Sequence, residues 1–242
     1  MTESFEKTKV AGSIAAGALD EVNNIIKPGV STLEIDKLCY EYINDHKAFS
    51  APLYYRGYPK SCCTSSNHVV CHGIPSEKIL NDGDILNVDV TAIKDGWHGD
   101  TSRMFVVGQC SVKAKKLIKT TYEAMMEAIK IIKAHTKIGN IGYTIQKLVE
   151  AEGFSVVRDF CGHGIGKKFH ESPNVLHYGE KNSGQELKDG MIFTVEPMIN
   201  YGKFETKTLK DGWTAVTKDK SLSAQFEHTV GVTKEGYEIF TL

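Results

Sequence analysis

Two aspartates on either side of an Asp-Gly turn, a histidine between glycines, and two glutamates in apolar runs are the residues of this 242-residue chain best suited to joint chemistry. Asp89 and Asp100 lie in the runs ILNVDVTAI and WHGDTSRMFVV, separated by Lys94-Asp95-Gly96. Asp-Gly between two such runs is a hairpin signal. A two-residue loop pairs Lys94 with Trp97, which sets Thr91 opposite Asp100 and Asp89 opposite Ser102. The two carboxylates then lie diagonally on one face, about 7–8 Å between positions. Carboxylates that close repel when ionised, and one is pushed toward protonation unless a cation sits between them. A two-metal site needs bridging carboxylates around metals roughly 3.5–4 Å apart, which this geometry can supply. For an arbitrary pair the commoner reading is two solvated residues on an exposed face, and the opposing apolar row (Leu86, Val88, Val90, Ala92) fits either reading. The hairpin alone decides nothing.

The other candidates are similarly two-sided. Cys161-Gly162-His163-Gly164-Ile165-Gly166 lets backbone approach closely and leaves the imidazole room to reach a metal, or is a tight turn with an incidental histidine. Its glycine spacing is not that of a phosphate-binding loop. In Phe193-Thr194-Val195-Glu196-Pro197 the proline removes the next backbone donor, so a bulge or strand end there aims the Glu196 side chain. Alternation places Gln225, Glu227 and Thr229 on one strand face, which is either functional or a polar outer face. His72 and His170 gain meaning only if the other five residues converge.

The elements that must position these residues follow an α+β order. Val10, Ile14, Ala18, Val22 and Ile26 recur at helical spacing within residues 4–27, before Pro28-Gly29. Ser31 with Glu34 is a capping-box pattern opening a second helix that carries Leu38 and Tyr42 on one face. A long helix is expected from about Val112 to His135 and a shorter one from near Asn140, followed by the strand-like runs FSVVRDF, MIFTVEPMI, QFEHTVGV and YEIFTL. The two halves, about 1–110 and 111–242, thus repeat helices then strands, echoed by IIK at 25–27 and 131–133. No linker or composition shift separates them, so a single catalytic domain over 1–242 is expected.

Composition is ordinary, 41% hydrophobic and 24% charged, and 29 Lys+Arg against 30 Asp+Glu give a net charge of −1. Neither a nucleic acid nor a membrane is drawn by bulk charge. MTESFEKTKV has no apolar signal region, and the six cysteines show no C-x-x-C pair, so free thiols and a cytoplasmic setting are expected.

The chain resembles, nearly end to end, the type I methionine aminopeptidases of the short bacterial form, members of the pita-bread metallopeptidases. NVDVTAIKDGWHGDTSRMF, CGHGIG with the later FHESP, FTVEPMIN and SAQFEHTV carry the resemblance in that order. It implies two pseudo-symmetric halves with helices outside a central, largely antiparallel curved sheet. Asp89 would bind one metal through both oxygens, Asp100 and Glu227 would bridge, and His163 and Glu196 would complete the second. His72 and His170 would flank the substrate and stabilise the transition state. The methionine pocket would fall on Tyr55, Tyr58, Cys63, His72, Phe169, His170 and Trp213, and a monovalent cation (Na⁺ or K⁺) near Asn67, Val69 and Ser223. Many bacterial relatives have cysteine where Pro52 aligns. The chain shows neither the N-terminal zinc-binding extension of eukaryotic type I enzymes nor room for the type II insertion.

Four carboxylates and an imidazole suit Mn²⁺, Fe²⁺ or Co²⁺ and tolerate Zn²⁺. The resemblance implies attack by a metal-activated hydroxide on the first peptide bond, with Glu196 shuttling the proton, to remove initiator methionine from nascent chains with a small second residue. A monomer making a transient ribosome contact is the corresponding expectation. The rivals are an X-Pro-cleaving relative, which usually adds an N-terminal domain, and a non-catalytic binder, which should have lost ligands.

Overall fold

A computed structural model describes residues 3–242. Four helices occur among them: α1 (Glu3–Ile25), α2 (Thr32–Asp45), α3 (Val112–Lys130) and α4 (Gly139–Ala151). The capping box of α2 forms in full, with Ser31 Oγ accepting from the Glu34 N–H and a Glu34 oxygen accepting from the Ser31 N–H at 2.7 Å. On α1 the expected stripe is buried at Ile14, Ala18 and Val22, whereas Val10 is exposed. The end of α3 differs from expectation. The chain leaves the helix at Ile131 because the Ala134 and His135 N–H groups are taken by the carbonyls of Thr233 and Leu187, and His135 turns to a left-handed φ of 70°.

The hairpin has the expected register. Ile85–Lys94 pairs antiparallel with Trp97–Val106, with Lys94 opposite Trp97, Thr91 opposite Asp100 and Asp89 opposite Ser102. Asp95 and Gly96 both have positive φ, the requirement of a type I′ turn. From this hairpin the main sheet extends through Glu227–Val232, Ile192–Val195, Gly162–Gly164 and Glu171–Val175. Cys63–Ser66 and Phe49–Ser50 join the outer side of Ile85–Lys94, and Tyr237–Ile239 joins Glu227–Val232. All pairings are antiparallel. The fold is the pita-bread α+β arrangement expected. As Pro197 suggests, the strand breaks after Val195 and resumes as Met198–Asn200, which pairs with Ser223–Gln225 in a second, three-stranded sheet. All six cysteines are free thiols.

Alternation divides the hairpin between two environments. Leu86, Val88, Val90 and Ala92 are fully buried against α1 and α2, in a core with Leu19, Val22 and Ile35. In the other half, residues of α3 and α4 such as Leu117, Met125, Ile141 and Ile145 cover Phe193, Val195 and Val230. The helices thus hold the apolar face, and Asp89, Thr91 and Asp100 are left to the other.

Helix α1 meets the hairpin at a glycine contact. A Cβ on Gly99 would lie 2.2 Å from the Gly12 nitrogen and 2.4 Å from its Cα. Backbone cannot yield as a side-chain tip can, so Gly99→Ala should separate α1 from the strand that carries Asp100. We expect a loss of about 1–3 kcal/mol, typical of overpacking, read as a lowered urea midpoint. Gly236→Ala, where a Cβ meets nothing nearer than 4.0 Å, should leave the midpoint nearly unchanged; equal effects would refute the glycine contact as a packing constraint.

Candidate metal centre and substrate cavity

Strand order delivers the five candidate ligands to one place. Ser102 faces Asp89 on one side and Glu227 on the other. The next pairing sets His228 opposite Val195, so one step further along this register brings Glu196 against Glu227. Gly164 lies opposite Phe193, and the His163 N–H donates to Thr194 Oγ1 at 3.0 Å. One ligand atom each from Asp100, His163 and Glu227 lies within 4.8 Å of the others. His163 Nε2 is 3.5 Å from Glu196 Oε1 and 3.7 Å from Asp100 Oδ2.

Neutral groups set the orientation of these side chains. Thr91 donates to Asp100 Oδ1 at 2.6 Å, and Thr194 to Glu196 Oε1 at 2.7 Å. Thr229 Oγ1 accepts from the Asp100 N–H and donates to the Asp100 carbonyl. The Glu196 N–H donates to His177 Nε2 at 3.1 Å, and Gln225 Nε2 reaches Glu196 Oε2 at 3.4 Å. His163 Nδ1 hydrogen-bonds the Gly164 carbonyl at 3.1 Å, so this nitrogen carries the proton and the Nε2 lone pair faces the carboxylates.

The electrostatics are those of a cage lacking its own counter-charge. Asp100, Glu196 and Glu227 are buried and Asp89 is half-buried. Among the described residues no lysine or arginine forms an ion pair with any of the four. Burial raises Asp89 to about 7 and Glu196 to about 8. Burial and then the neighbouring carboxylates push Asp100 and Glu227 well above the usual carboxylate range. Burial lowers His163 to about 4. A neutral imidazole lone pair held 3.5–3.7 Å from carboxylate oxygens, with no proton to share, fits divalent cations and their preference for oxygen and nitrogen donors.

The cage opens into a cavity of about 470 Å³. Tyr55, Tyr58, Cys63, His72, Phe169, His170 and Trp213 all line it, as does Pro52. The Tyr58 ring meets Trp213 edge-on at 5.2 Å, and its hydroxyl donates to the Cys62 and Gly73 carbonyls. His72, in a left-handed backbone conformation, sets its ring against Phe160 and Trp213. His170 shares a 3.0 Å hydrogen bond with the Tyr55 hydroxyl, and its ring lies 4.2 Å from that of His163. Asn67, Val69 and Ser223 lie outside the cavity wall. There the Ser223 N–H donates to the Asn67 carbonyl, and the Asn67 side chain bridges Asp84 and the Ile85 N–H.

Residues 6–234 match metallopeptidase family M24. The methionine aminopeptidase of Rickettsia prowazekii (strain Madrid E) is 56% identical over 241 residues, covering 99% of this chain and 93% of that relative. A crystal structure of methionine aminopeptidase from Rickettsia prowazekii superposes with a TM-score of 0.99, covering 100% of this chain and 98% of the other at 56% identity. The methionine aminopeptidase structure from Thermotoga maritima gives 0.98 at 39% identity, covering 100% and 97%. The chain belongs to metallopeptidase family M24 and, within it, to the methionine aminopeptidases. It is thereby a metal-dependent hydrolase. The prolidase from Pyrococcus furiosus, at 21% identity and a TM-score of 0.80, shares the fold.

Several residues that touch the site of this methionine aminopeptidase stand outside any local sequence signal. Arg56 and Phe160 line the cavity but carry no motif, and Met198 lines it from within FTVEPMIN. His177 touches Glu196 with no local pattern to announce it, whereas Thr194 reaches Glu196 from two residues earlier in the same run. Thr91 was placed opposite Asp100 by the hairpin register, and that pairing was the available signal.

These shifts set the pH dependence of the metal-free protein. From about 7.5, a full pH unit above the usual histidine value, to about 8, the raised Glu196 value, histidines are largely neutral in both states. The unfolded chain has ionised its carboxylates there, while the folded protein still holds protons on them. The folded state therefore binds more protons, and its stability falls as pH rises. Below about 7.5 the buried histidines increasingly act oppositely, staying neutral when folded and protonating when unfolded. We expect the melting temperature of chelator-treated protein to fall from about pH 7.5 to 8, and Mn²⁺ to flatten that limb. A metal-free melting temperature that climbs steadily over this interval would contradict the electrostatic reading.

Proposed function

We propose that the chain removes N-terminal methionine from nascent polypeptides with a small second residue, using two divalent cations held by Asp89, Asp100, His163, Glu196 and Glu227. The observation that carries this reading is the opening of a five-donor cage into an aromatic cavity. The names of the relatives at 56% identity point the same way. Bound divalent cations supply Lewis acidity there, acidifying water and polarising the scissile carbonyl.

The remaining roles belong to the chain. Glu196 has Oε1 held by Thr194, and its second oxygen can take a proton from the attacking water and return it to the leaving amine. Desolvation raises Glu196 to about 8 in the metal-free protein, and bound cations would hold it ionised and able to accept that proton. His170 is held neutral, chiefly by burial and next by His163. With the Tyr55 hydroxyl donating to Nδ1, the His170 proton sits on Nε2 and is available to the developing oxyanion. His72 flanks the substrate on the Trp213 side. Tyr58, Cys63, Phe169 and Trp213 supply an apolar slot that suits an unbranched thioether side chain.

The same reading carries its setting: a cytoplasmic monomer meeting nascent chains through a transient ribosome contact, with Na⁺ or K⁺ near Asn67, Val69 and Ser223. No helix among the described residues is long and apolar enough to cross a membrane.

Two measurements test the proposal. Metal-free protein titrated with Mn²⁺, Fe²⁺, Co²⁺ or Zn²⁺ should release methionine from Met-Ala-Ser, and neither N-formyl-Met-Ala-Ser nor Ala-Pro should be cleaved. Preferential cleavage of Ala-Pro would sink the reading in favour of an X-Pro enzyme. Separately, Glu196→Gln should lower kcat by about 10²–10⁴-fold, the range of general acid–base contributions, with metal content measured alongside. Near-normal turnover by the metal-loaded variant would remove Glu196 from the proton path.

A further inference from the structure

The turn between Pro52 and Tyr58 places three residues in left-handed backbone conformations: Tyr54 at φ 64°, Arg56 at 48° and Gly57 at 87°. Only glycine accepts this freely, so Tyr54 and Arg56 are held there against their preference. Short hydrogen bonds do the holding, from the Tyr54 N–H to the Tyr58 carbonyl at 2.8 Å and from the Tyr55 N–H to the Pro52 carbonyl at 2.9 Å. Backbone strain of this kind persists where the surroundings over-determine it, often beside a ligand.

Here it puts a cation on the cavity wall. Among the described residues Arg56 is the only lysine or arginine lining the cavity. Its side chain is exposed, with the guanidinium 5.3 Å from the centre of the Tyr55 ring. Among the described residues no carboxylate stands within ion-pair distance of it. The Tyr55 ring lies 5.2 Å from that of His170, which is 4.2 Å from that of His163. Arg56 therefore stands two ring contacts outward from the group assigned to the scissile carbonyl. An extended chain advances roughly 3.3 Å per residue, so the third or fourth residue of a polypeptide with its methionine in the slot passes this guanidinium.

We propose that Arg56 recognises a carboxylate downstream of the scissile bond, either an Asp or Glu side chain at the third or fourth position or the C-terminus of a short peptide. This rests on the aminopeptidase reading and adds a charge preference to it. Asp159 and Glu171 also line the cavity and act in the opposite sense. They are unchanged by substitution at Arg56 and cancel when variants are compared.

The test uses C-amidated Met-Ala-Asp-Asp and Met-Ala-Lys-Lys for the side chains, and Met-Ala-Ser as free acid and as amide for the terminus. Wild type, Arg56→Asn and Arg56→Lys are compared, asparagine being chosen because it tolerates the left-handed conformation. At low salt the Asp/Lys ratio of kcat/KM, the acid/amide ratio, or both should fall about two- to fivefold in Arg56→Asn, as for an exposed ion pair. Whichever ratio moves identifies the carboxylate read. Arg56→Lys should restore it, and added salt should shrink it in wild type. If both ratios are unchanged in Arg56→Asn while methionine is still released, the assignment of Arg56 is overturned. If metal-loaded wild type releases methionine from none of the four peptides, the aminopeptidase reading fails instead.

Discussion

Four carboxylates gathered away from water cannot all be ionised without a positive charge among them. Desolvation raises Asp89, Asp100, Glu196 and Glu227, repulsion by neighbouring carboxylates adds to it for the last three, and among the described residues no lysine or arginine pairs with them. The site must hold protons or cations. The rest of the molecule can be understood as the cost of keeping this set in place. Helices α1 and α2 bury the apolar side of the hairpin, and α3 and α4 bury that of the neighbouring strands, so the polar side is left to face inward around the cage. The close approach of Gly99 to Gly12 shows how little slack remains behind Asp100.

The orientation of the cage comes from hydroxyls. Thr91, Thr194 and Thr229 each contact a ligand residue through Oγ1, and a β-branched side chain in a strand has few rotamers to leave. A lysine in any of these places would fix a carboxylate equally well, but it would also neutralise it and remove the demand for a metal. A neutral donor fixes one oxygen and leaves the negative charge for something else. His177 serves Glu196 in the same way, because burial keeps its imidazole neutral and able to accept the backbone N–H. Order and charge are thus supplied by separate groups.

How far this could be read beforehand depended on the range of the interaction. The Asp89–Asp100 geometry was legible because a type I′ Asp-Gly turn fixes register within the ten residues on either side of it. The partnership of Glu227 with Ser102, or of His163 with Thr194, depends on strand order in a sheet assembled from distant segments. No local pattern encodes that order, and only the family resemblance anticipated the convergence. The early end of α3 was hidden for the same reason, since the competing hydrogen bonds come from Leu187 and Thr233. Arg56 was hidden differently: its placement depends on a left-handed backbone that the flanking residues impose and its own type disfavours.

The cavity also bears on why such a cage would act at a chain end. Tyr58 and Cys63 are buried, the Tyr58 hydroxyl is tied to the Cys62 and Gly73 carbonyls, and Trp213 closes against the Tyr58 ring. Trp213 is itself held by Asp211, which accepts from the Trp213 and Thr214 N–H groups at 2.9 Å and from the Thr214 hydroxyl at 2.7 Å. An extended polypeptide could continue past these rings only by displacing the buried Tyr58 ring and breaking its hydrogen bonds. A single side chain entering from the His170 side requires neither. On the proposed reading, restriction to the first residue follows from a slot with one open end, and the charge at Arg56 bears on the part of the substrate that stays outside it.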